Sequence, residues 1–572
     1  MKQNLYLTAM AGLIAVSLTG CMDKDYDLSD IDTTSEFRLV DLVLPLNVTQ
    51  VALDNIITLD DNSVLKVMNV DGKDVYAIVK TGDFKSDPFK INDINSDVPH
   101  IAPTKANFEL ITVADTYNFD LVSFPEQAIS YTADNIDENI VALSEVFMDD
   151  EPSELALAFS IDGGAAQGMT YDLNNVVIDL PGGLQVVNLP SGYKYDPATG
   201  VLNVDHVACA NGNGKIAINI SGMKMTDEST FTGGKLDYNS TITFKSAKLT
   251  VKSTSTSTVP QKMSFSINSS LSAMHITAFS GRVHYNLDAE SMNIPSVEMN
   301  DIPDFFSKDD TRLRLANPQI YIGIDNNPVA QYGLGFSTGL VLTKCYGTNK
   351  TPYSPANLIK TNGEYGAGPY NFVLSPTDPK TYPADFSQHL THVPFPEMGD
   401  ILYGAGLPDK IDINLDKPMI PEGEVTHFRL QDYPALTGRY ELLAPLAFKP
   451  EGTVIEYNTT YDDWGSEDLD KLSIKSLTIT ADAVSTVPMD AVMHITPIAG
   501  VAENVQVSEM ILKAQAESQP ITLTVTGDIR KLQGIKLSAI LNPTNENAVS
   551  PDQTITLTNL RAKVTGSYLT DF

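Results

Sequence analysis

The chain has 572 residues, 42% of them hydrophobic and 19% charged, with 72 Asp and Glu against 38 Lys and Arg for a formal net charge of -34. A single hydrophobic core stops growing near roughly 250 to 300 residues, so a chain of this length implies several cores. The negative field repels phosphate backbones and anionic headgroups, which argues against nucleic acid as a partner and favours solubility in an exposed setting.

One basic residue, Lys2, precedes a short apolar run through Leu13-Ile14-Ala15-Val16, and the run closes on Leu18-Thr19-Gly20 directly before Cys21. A membrane-spanning helix needs about 20 apolar residues, so 1–20 reads as an export signal that is removed rather than folded. Leu18-Thr19-Gly20-Cys21 resembles the lipobox of bacterial lipoproteins. The resemblance implies that the Cys21 thiol receives a diacylglyceryl group and that Cys21 becomes the new N-terminus. At about 0.8 kcal/mol per buried methylene, several acyl chains on one residue hold a soluble domain to outer-membrane lipid without any protein span.

Residues 21–36 are acidic, poor in aliphatic side chains and aperiodic, the composition of a solvated tether. Asp23, Lys24, Asp25 and Asp27 within it resemble the export signal that follows the lipidated cysteine in surface-exposed outer-membrane lipoproteins of the Bacteroidetes. That resemblance covers only about the first 35 residues and implies display on the outer face of the outer membrane.

Beyond the tether, alternation with period two dominates, as in Lys215-Ile216-Ala217-Ile218-Asn219-Ile220, Gln319-Ile320-Tyr321-Ile322-Gly323-Ile324 and Ile521-Thr522-Leu523-Thr524-Val525. Successive strand side chains point to opposite faces, so these runs are half-buried strands. Turn dipeptides such as Asp71-Gly72, Gly182-Gly183 and Ser191-Gly192 punctuate them. The pattern predicts an all-β chain of tandem antiparallel β-sandwich, immunoglobulin-like domains, over residues 37–227, 228–394 and 395–572. Few short helices are expected, near 139–146 and 508–516, and loops over 347–370 and 375–399. An internal echo pairs Lys245-Ser246-Ala247-Lys248-Leu249-Thr250 and Ser257-Thr258-Val259-Pro260 with Lys475-Ser476-Leu477-Thr478-Ile479-Thr480 and Ser485-Thr486-Val487-Pro488, which reads as strand, turn, strand in a duplicated module. Cys209 and Cys345, the two cysteines left once Cys21 is lipidated, are permitted but not required to pair.

Residues that carry chemistry are sparse. No pair among the eight histidines has the spacing of a helical zinc-protease site, and His389 and His392 lie in an irregular stretch. Gly335-Phe336-Ser337-Thr338-Gly339 matches a nucleophile elbow, but the strand-like Leu340-Val341-Leu342 follows it where a helix is required. The acidic groups are Asp149-Asp150-Glu151 with Glu154, Asp309-Asp310, and a cluster around Gly465. Asp462, Asp463, Glu467 and Asp468 of that last cluster are the calcium candidates, and no other cofactor is expected. Tyr346, Tyr353, Tyr365 and Tyr370, with Trp464 as the one tryptophan, are the candidate ligand surface for an extracellular glycan or protein.

These features point to a non-enzymatic, lipid-anchored surface protein that binds or presents a ligand. The alternatives are a glycan-binding component of a polysaccharide-uptake system, a fimbrial or adhesin-like subunit cut after Arg38, and a glycan- or peptide-acting hydrolase. Protease treatment of intact cells tests the address. The native chain is expected to be cleaved, and replacing Asp23, Lys24, Asp25 and Asp27 by alanine is expected to protect it, with Cys21→Ala as the unanchored control; equal protection of both anchored forms refutes the export-signal reading.

Overall fold

The computed structural model describes residues 34–45, 49–57, 59, 63–109, 116–122, 124–162, 169–225, 231–253, 262–300, 302–361, 364–366, 368–462 and 470–571. Its strands form antiparallel sheets, apart from Leu390–Pro394, which runs parallel to Tyr370–Ser375. The all-β architecture is the one the alternation predicts. Residues 139–146 and 508–516, expected as helices, contain instead the strands Ile140–Phe147 and Met510–Leu512. Ile140–Phe147 is claimed on both edges, by Ala278–Asn286 and by Asn213–Lys224, and this ladder overrides its local helical pattern.

A twelve-stranded sheet faces a seven-stranded one. Phe159 and Phe265 stand on strands Ser153–Asp162 and Lys262–Leu271 of the first, and Phe244 on Lys235–Ser253 of the second. Phe124 meets Phe244 edge-on at 4.8 Å and Phe265 at 5.6 Å, while Phe159 meets Phe244 at 5.8 Å, so aromatic rings fill the space between the sheets. A six-stranded sheet runs in the order Leu390–Pro394, Tyr370–Ser375, Gln319–Asn326, Thr437–Pro445, Lys73–Lys85, Leu65–Val70. One apolar cluster joins these three sheets from Ile57 to Ile455 and takes in Met489 and Val549.

The sheets cross both expected divisions of the chain. Ser153–Asp162 pairs with Lys262–Leu271 across 227/228, and Ala278–Asn286 pairs with Lys410–Arg429 across 394/395. The first described strand, Thr34–Pro45, begins inside the stretch expected as tether and pairs with the last, Thr554–Asp571. Within 347–370, expected as loop, lie the strand Asn349–Tyr353 and the short strand Ile359–Lys360. Neither copy of the echo is a hairpin. Lys235–Ser253 and Lys262–Leu271 belong to different sheets, and Leu472–Ser485 and Met489–Val507 each pair with Gln519–Pro543 rather than with each other. Cys209 and Cys345 are buried, free thiols, on the seven- and twelve-stranded sheets. Burial pushes Cys209 up to about 11 and Cys345 upward as well, so neither offers a thiolate.

The C-terminal sheet folds over on itself. Met493 pairs with Met510 and Val507 with Val525. Val507 and Met510 are three steps apart along the chain, a reach of about 10 Å, whereas a straight strand from Met493 to Val507 would run about 46 Å. Met489–Val507 therefore bends sharply, and Leu523, Val525, Ile529 and Leu532 are buried within their own apolar cluster. Gly527 marks the bend, where the register of Gln519–Pro543 slips against both neighbours. Its φ of 149° suits glycine, and a Cβ there would lie 2.9 Å from Val505 Cα and 3.0 Å from the Glu503 carbonyl oxygen. Gly527→Ala is expected to lower unfolding stability by about 1–3 kcal/mol in denaturant titration. Gly182→Ala, where a Cβ meets nothing within 4 Å, is expected to leave the midpoint nearly unchanged.

Candidate functional site

The four tyrosines expected to share a contact surface are spread over two sheets. Tyr346 and Tyr353 belong to the paired strands Ser337–Tyr346 and Asn349–Tyr353 of the twelve-stranded sheet. The Tyr346 hydroxyl donates to the Gly406 carbonyl at 3.1 Å, and desolvation pushes it up to about 12. The Tyr353 ring carries the Lys344 ammonium 5.1 Å from its centroid. Tyr370 is buried and its hydroxyl accepts from Tyr365 N at 2.8 Å. Tyr365 is the exposed member, at 41%, and its ring stacks on His389 at 3.7 Å. Cys21, Asp23, Lys24, Asp25, Asp27, Asp463, Trp464, Glu467 and Asp468 lie outside the described residues; Asp462 is exposed just beyond strand Ile455–Tyr461.

Several of the remaining chemical candidates have structural partners. Ser337 is buried at the start of strand Ser337–Tyr346, paired with Lys360 and Met419, so it sits on no elbow. His392 Nε2 lies 3.1 Å from Ser375 Oγ. Asp149 meets His427 Nε2 at 2.8 Å, and Glu154 meets Lys215 Nζ at 2.8 Å. Among the described residues no three His, Cys, Asp or Glu side chains gather as metal ligands. Arg38 is exposed and pairs with Ser567 within the strand Thr34–Pro45.

An open cleft of about 1280 Å³ lies where the six-stranded sheet meets the C-terminal sheet. Sequence-distant segments wall it, among them the hairpin around Asp71-Gly72, the ends of strands near Asn317 and Gln319, the loop from Thr377 to Thr381, and the loop from Glu546 to Gln553. Hydrogen bonds fix these walls. Thr381 Oγ1 donates to Asp71 at 2.7 Å, Asn69 Nδ2 to Asp74 at 2.9 Å, Ser550 Oγ to the Asp74 carbonyl at 2.6 Å, and Tyr382 to Asp378 at 3.2 Å. Backbone bonds from Tyr76 N to the Val549 carbonyl and from Val549 N to the Leu446 carbonyl tie the last loop to the sheet. Five carboxylates, of Asp71, Asp74, Asp378, Glu546 and Asp552, face two ammonium groups, of Lys73 and Lys380, and among the described residues no aromatic ring lines the cleft. The sequence pattern marked the Asp71-Gly72 turn, the strand start at Gln319, Thr486 and the loop 375–399, but none of them as a site, because short polar residues in loops carry no spacing that separates a wall from an ordinary turn.

A second polar group lies on the outer face of the six-stranded sheet, under the 3-10 turn Ala384–Phe386. Arg439 Nη1 binds Asp325 at 2.7 Å, Nη2 donates to the Asp385 carbonyl, and the guanidinium lies 5.1 Å from the Phe386 centroid. Asn371, fully buried, donates from Nδ2 to the Gln388 carbonyl at 2.6 Å. Both side chains hold the turn onto the sheet. Glu441 follows Arg439 by two positions on the same strand face, and burial, then the Asp385 charge, raises its carboxyl above the ordinary range.

No family model and no curated protein sequence matches this chain. Among solved structures it is similar to a protein of Parabacteroides distasonis described as secreted, at 17% identity over 50% of this chain and 89% of that one, with a TM-score of 0.35. It is also similar to the T13 particle protein of the virus IBDV, at 6% identity over 83% and 82% of the two chains with a TM-score of 0.11. The corresponding protein of the infectious bursal disease virus Gx strain shows 8% identity over 85% and 87%, with a TM-score of 0.12. Likenesses this low carry no argument about function. Among the described residues no helix is long and apolar enough to cross a membrane.

The raised Glu441 carboxyl has a defined effect on stability. A carboxyl that holds its proton more tightly when folded stabilises the fold at low pH, and that contribution is lost as pH rises through the folded value. Glu441→Gln is therefore expected to unfold at a higher temperature than the native protein at pH 7. The gap is expected to close as pH falls below the ordinary glutamate value of 4.5. Thermal melts across this range check it, and a gap that widens on acidification contradicts it.

Proposed function

We propose that this chain is a lipid-anchored, outward-facing outer-membrane protein that binds an uncharged, polyhydroxylated ligand, a neutral glycan segment, in the cleft between the six-stranded and C-terminal sheets. The address rests on the lipobox-like Leu18-Thr19-Gly20-Cys21 and the acidic residues after it. The ligand class rests on one observation: a cleft of about 1280 Å³ whose braced walls present carboxylates and amides. Ligand sites of small-molecule size run to about 1,000 Å³, so this one accommodates more than a single sugar. Carboxylate and amide oxygens accept from hydroxyl groups, while Asn and Gln amides and the two lysines donate to them. The excess of five carboxylates over two lysines disfavours anionic polysaccharides, as does the net charge of -34.

Calorimetric titration of the mature chain carrying Cys21→Ala, against neutral and uronate-rich polysaccharides, tests this reading. Binding to a neutral class is expected, with Asp378→Ala and Glu546→Ala together weakening it tenfold or more, since a hydrogen bond to a charged group contributes about 1.5–3 kcal/mol. Preference for the uronate-rich class, or binding indifferent to both substitutions, removes the cleft as the site.

A further inference from the structure

Two buried polar atoms on the outer face of the six-stranded sheet have no hydrogen-bond partner: Asn371 Oδ1 and Arg439 Nε. They converge on one place. Strand Gln319–Asn326 sets Gly323 between Asn371 on one neighbouring strand and Arg439 on the other. A Cβ built on Gly323 would lie 2.7 Å from Asn371 Oδ1 and 3.3 Å from Arg439 Nε. The two atoms are thus at most about 6 Å apart, the reach of two hydrogen bonds of roughly 3 Å through one shared atom.

Their chemistry is complementary and fixed. The bond from Asn371 Nδ2 to the Gln388 carbonyl settles which end of the amide is which, so its oxygen faces the gap. The Arg439 Nη groups are engaged by Asp325 and by the Asp385 carbonyl, which leaves the Nε–H as the donor over Gly323. Arginine only donates and the amide oxygen only accepts, so a single guest that satisfies both must accept from one and donate to the other. A hydroxyl oxygen does this; a carboxylate, an ammonium or a methyl group does not. Unmet buried donors and acceptors are rare in native proteins because each forfeits its hydration on folding. Asn371 is 0% exposed, so bulk solvent does not satisfy it.

We infer that Asn371 Oδ1 and Arg439 Nε form a binding site for one hydroxyl oxygen over Gly323, closed by the segment 384–389. The guest accepts from Arg439 Nε–H and donates to Asn371 Oδ1. Its source is either water enclosed with the fold or a sugar hydroxyl that enters beside Arg439, whose side chain is 28% exposed. This site is separate from the cleft and does not rest on the glycan reading.

Crystals of the mature Cys21→Ala chain, grown free of polyols and then soaked in galactose, test it. An oxygen peak within hydrogen-bond distance of both Asn371 Oδ1 and Arg439 Nε is expected in the unsoaked crystal. An isolated peak that galactose leaves unchanged assigns the site to water, and ring density replacing it assigns the site to a sugar hydroxyl. Gly323→Ala, whose Cβ would stand 2.7 Å from Asn371 Oδ1 and so push that oxygen aside, is expected to lose the peak while leaving polysaccharide binding at the cleft unaltered. The native crystals alone are decisive if that variant fails to fold. A direct bond between Arg439 Nε and Asn371 Oδ1, or a gap with no density in both native crystals, overturns the inference.

Discussion

Nine residue pairs between Lys73–Lys85 and Thr437–Pro445 join stretches of chain more than 350 residues apart, and most of the molecule depends on that closure. Without it the six-stranded sheet loses two strands from one side, and the cluster that includes Tyr76, Ile78, Leu442 and Leu446 opens to water. Such a long closure is tolerable because its entropy grows only logarithmically with loop length, by about 0.6 kcal/mol per doubling. The intervening chain builds the twelve- and seven-stranded sheets and so recovers that entropy through burial. The same closure carries the C-terminal sheet, since Leu446 N bonds the Tyr76 carbonyl and Val549 N bonds the Leu446 carbonyl. The cleft lies where strand ends of the six-stranded sheet meet the loop from Glu546 to Gln553.

Period-two alternation reveals which face of a strand is buried, and it was legible in runs such as Lys215 to Ile220, which falls within strand Asn213–Lys224. It says nothing about the partner. Lys262–Leu271 pairs with Ser153–Asp162 and Thr104–Glu109, both far upstream, and no local feature of Met263-Ser264-Phe265 encodes that choice. The divisions expected at 227/228 and 394/395 therefore cut through sheets. The two misread helices fail for a related reason: Ile140–Phe147 is short, and a short apolar run is fixed as strand or helix by what lies beside it.

The candidate sites were less legible than the fold. Tyrosines caught the eye as adaptable contact residues, yet Tyr346 and Tyr370 spend their hydroxyls on neighbouring backbone atoms. The cleft draws on loops separated by hundreds of residues, whose Asp, Asn and Thr side chains resemble those of any turn. The hydroxyl site had one local sign, a glycine inside the apolar alternation Ile322-Gly323-Ile324, where a missing side chain marks a close approach. Its two functional atoms come from other strands, and their lack of partners is a property of the assembled sheet alone.

Charge plays unequal parts in stability and in selection. The ion pairs of this acidic chain are mostly well hydrated; the side chains of Lys215 and Glu154, for example, are 54% and 51% exposed, and such pairs contribute little. Asp528 is the more constrained case, held to about 2 by its hydrogen bonds with Arg530 and Lys475 at the register slip beside Gly527. There the pair fixes the bend of a strand rather than adding to a sum of surface attractions. Other carboxylates are structural too, among them Asp71, Asp74 and Asp378, which accept hydrogen bonds within the cleft walls. Burial therefore determines whether the chain folds, and in the proposed reading the surplus of acid selects against anionic ligands.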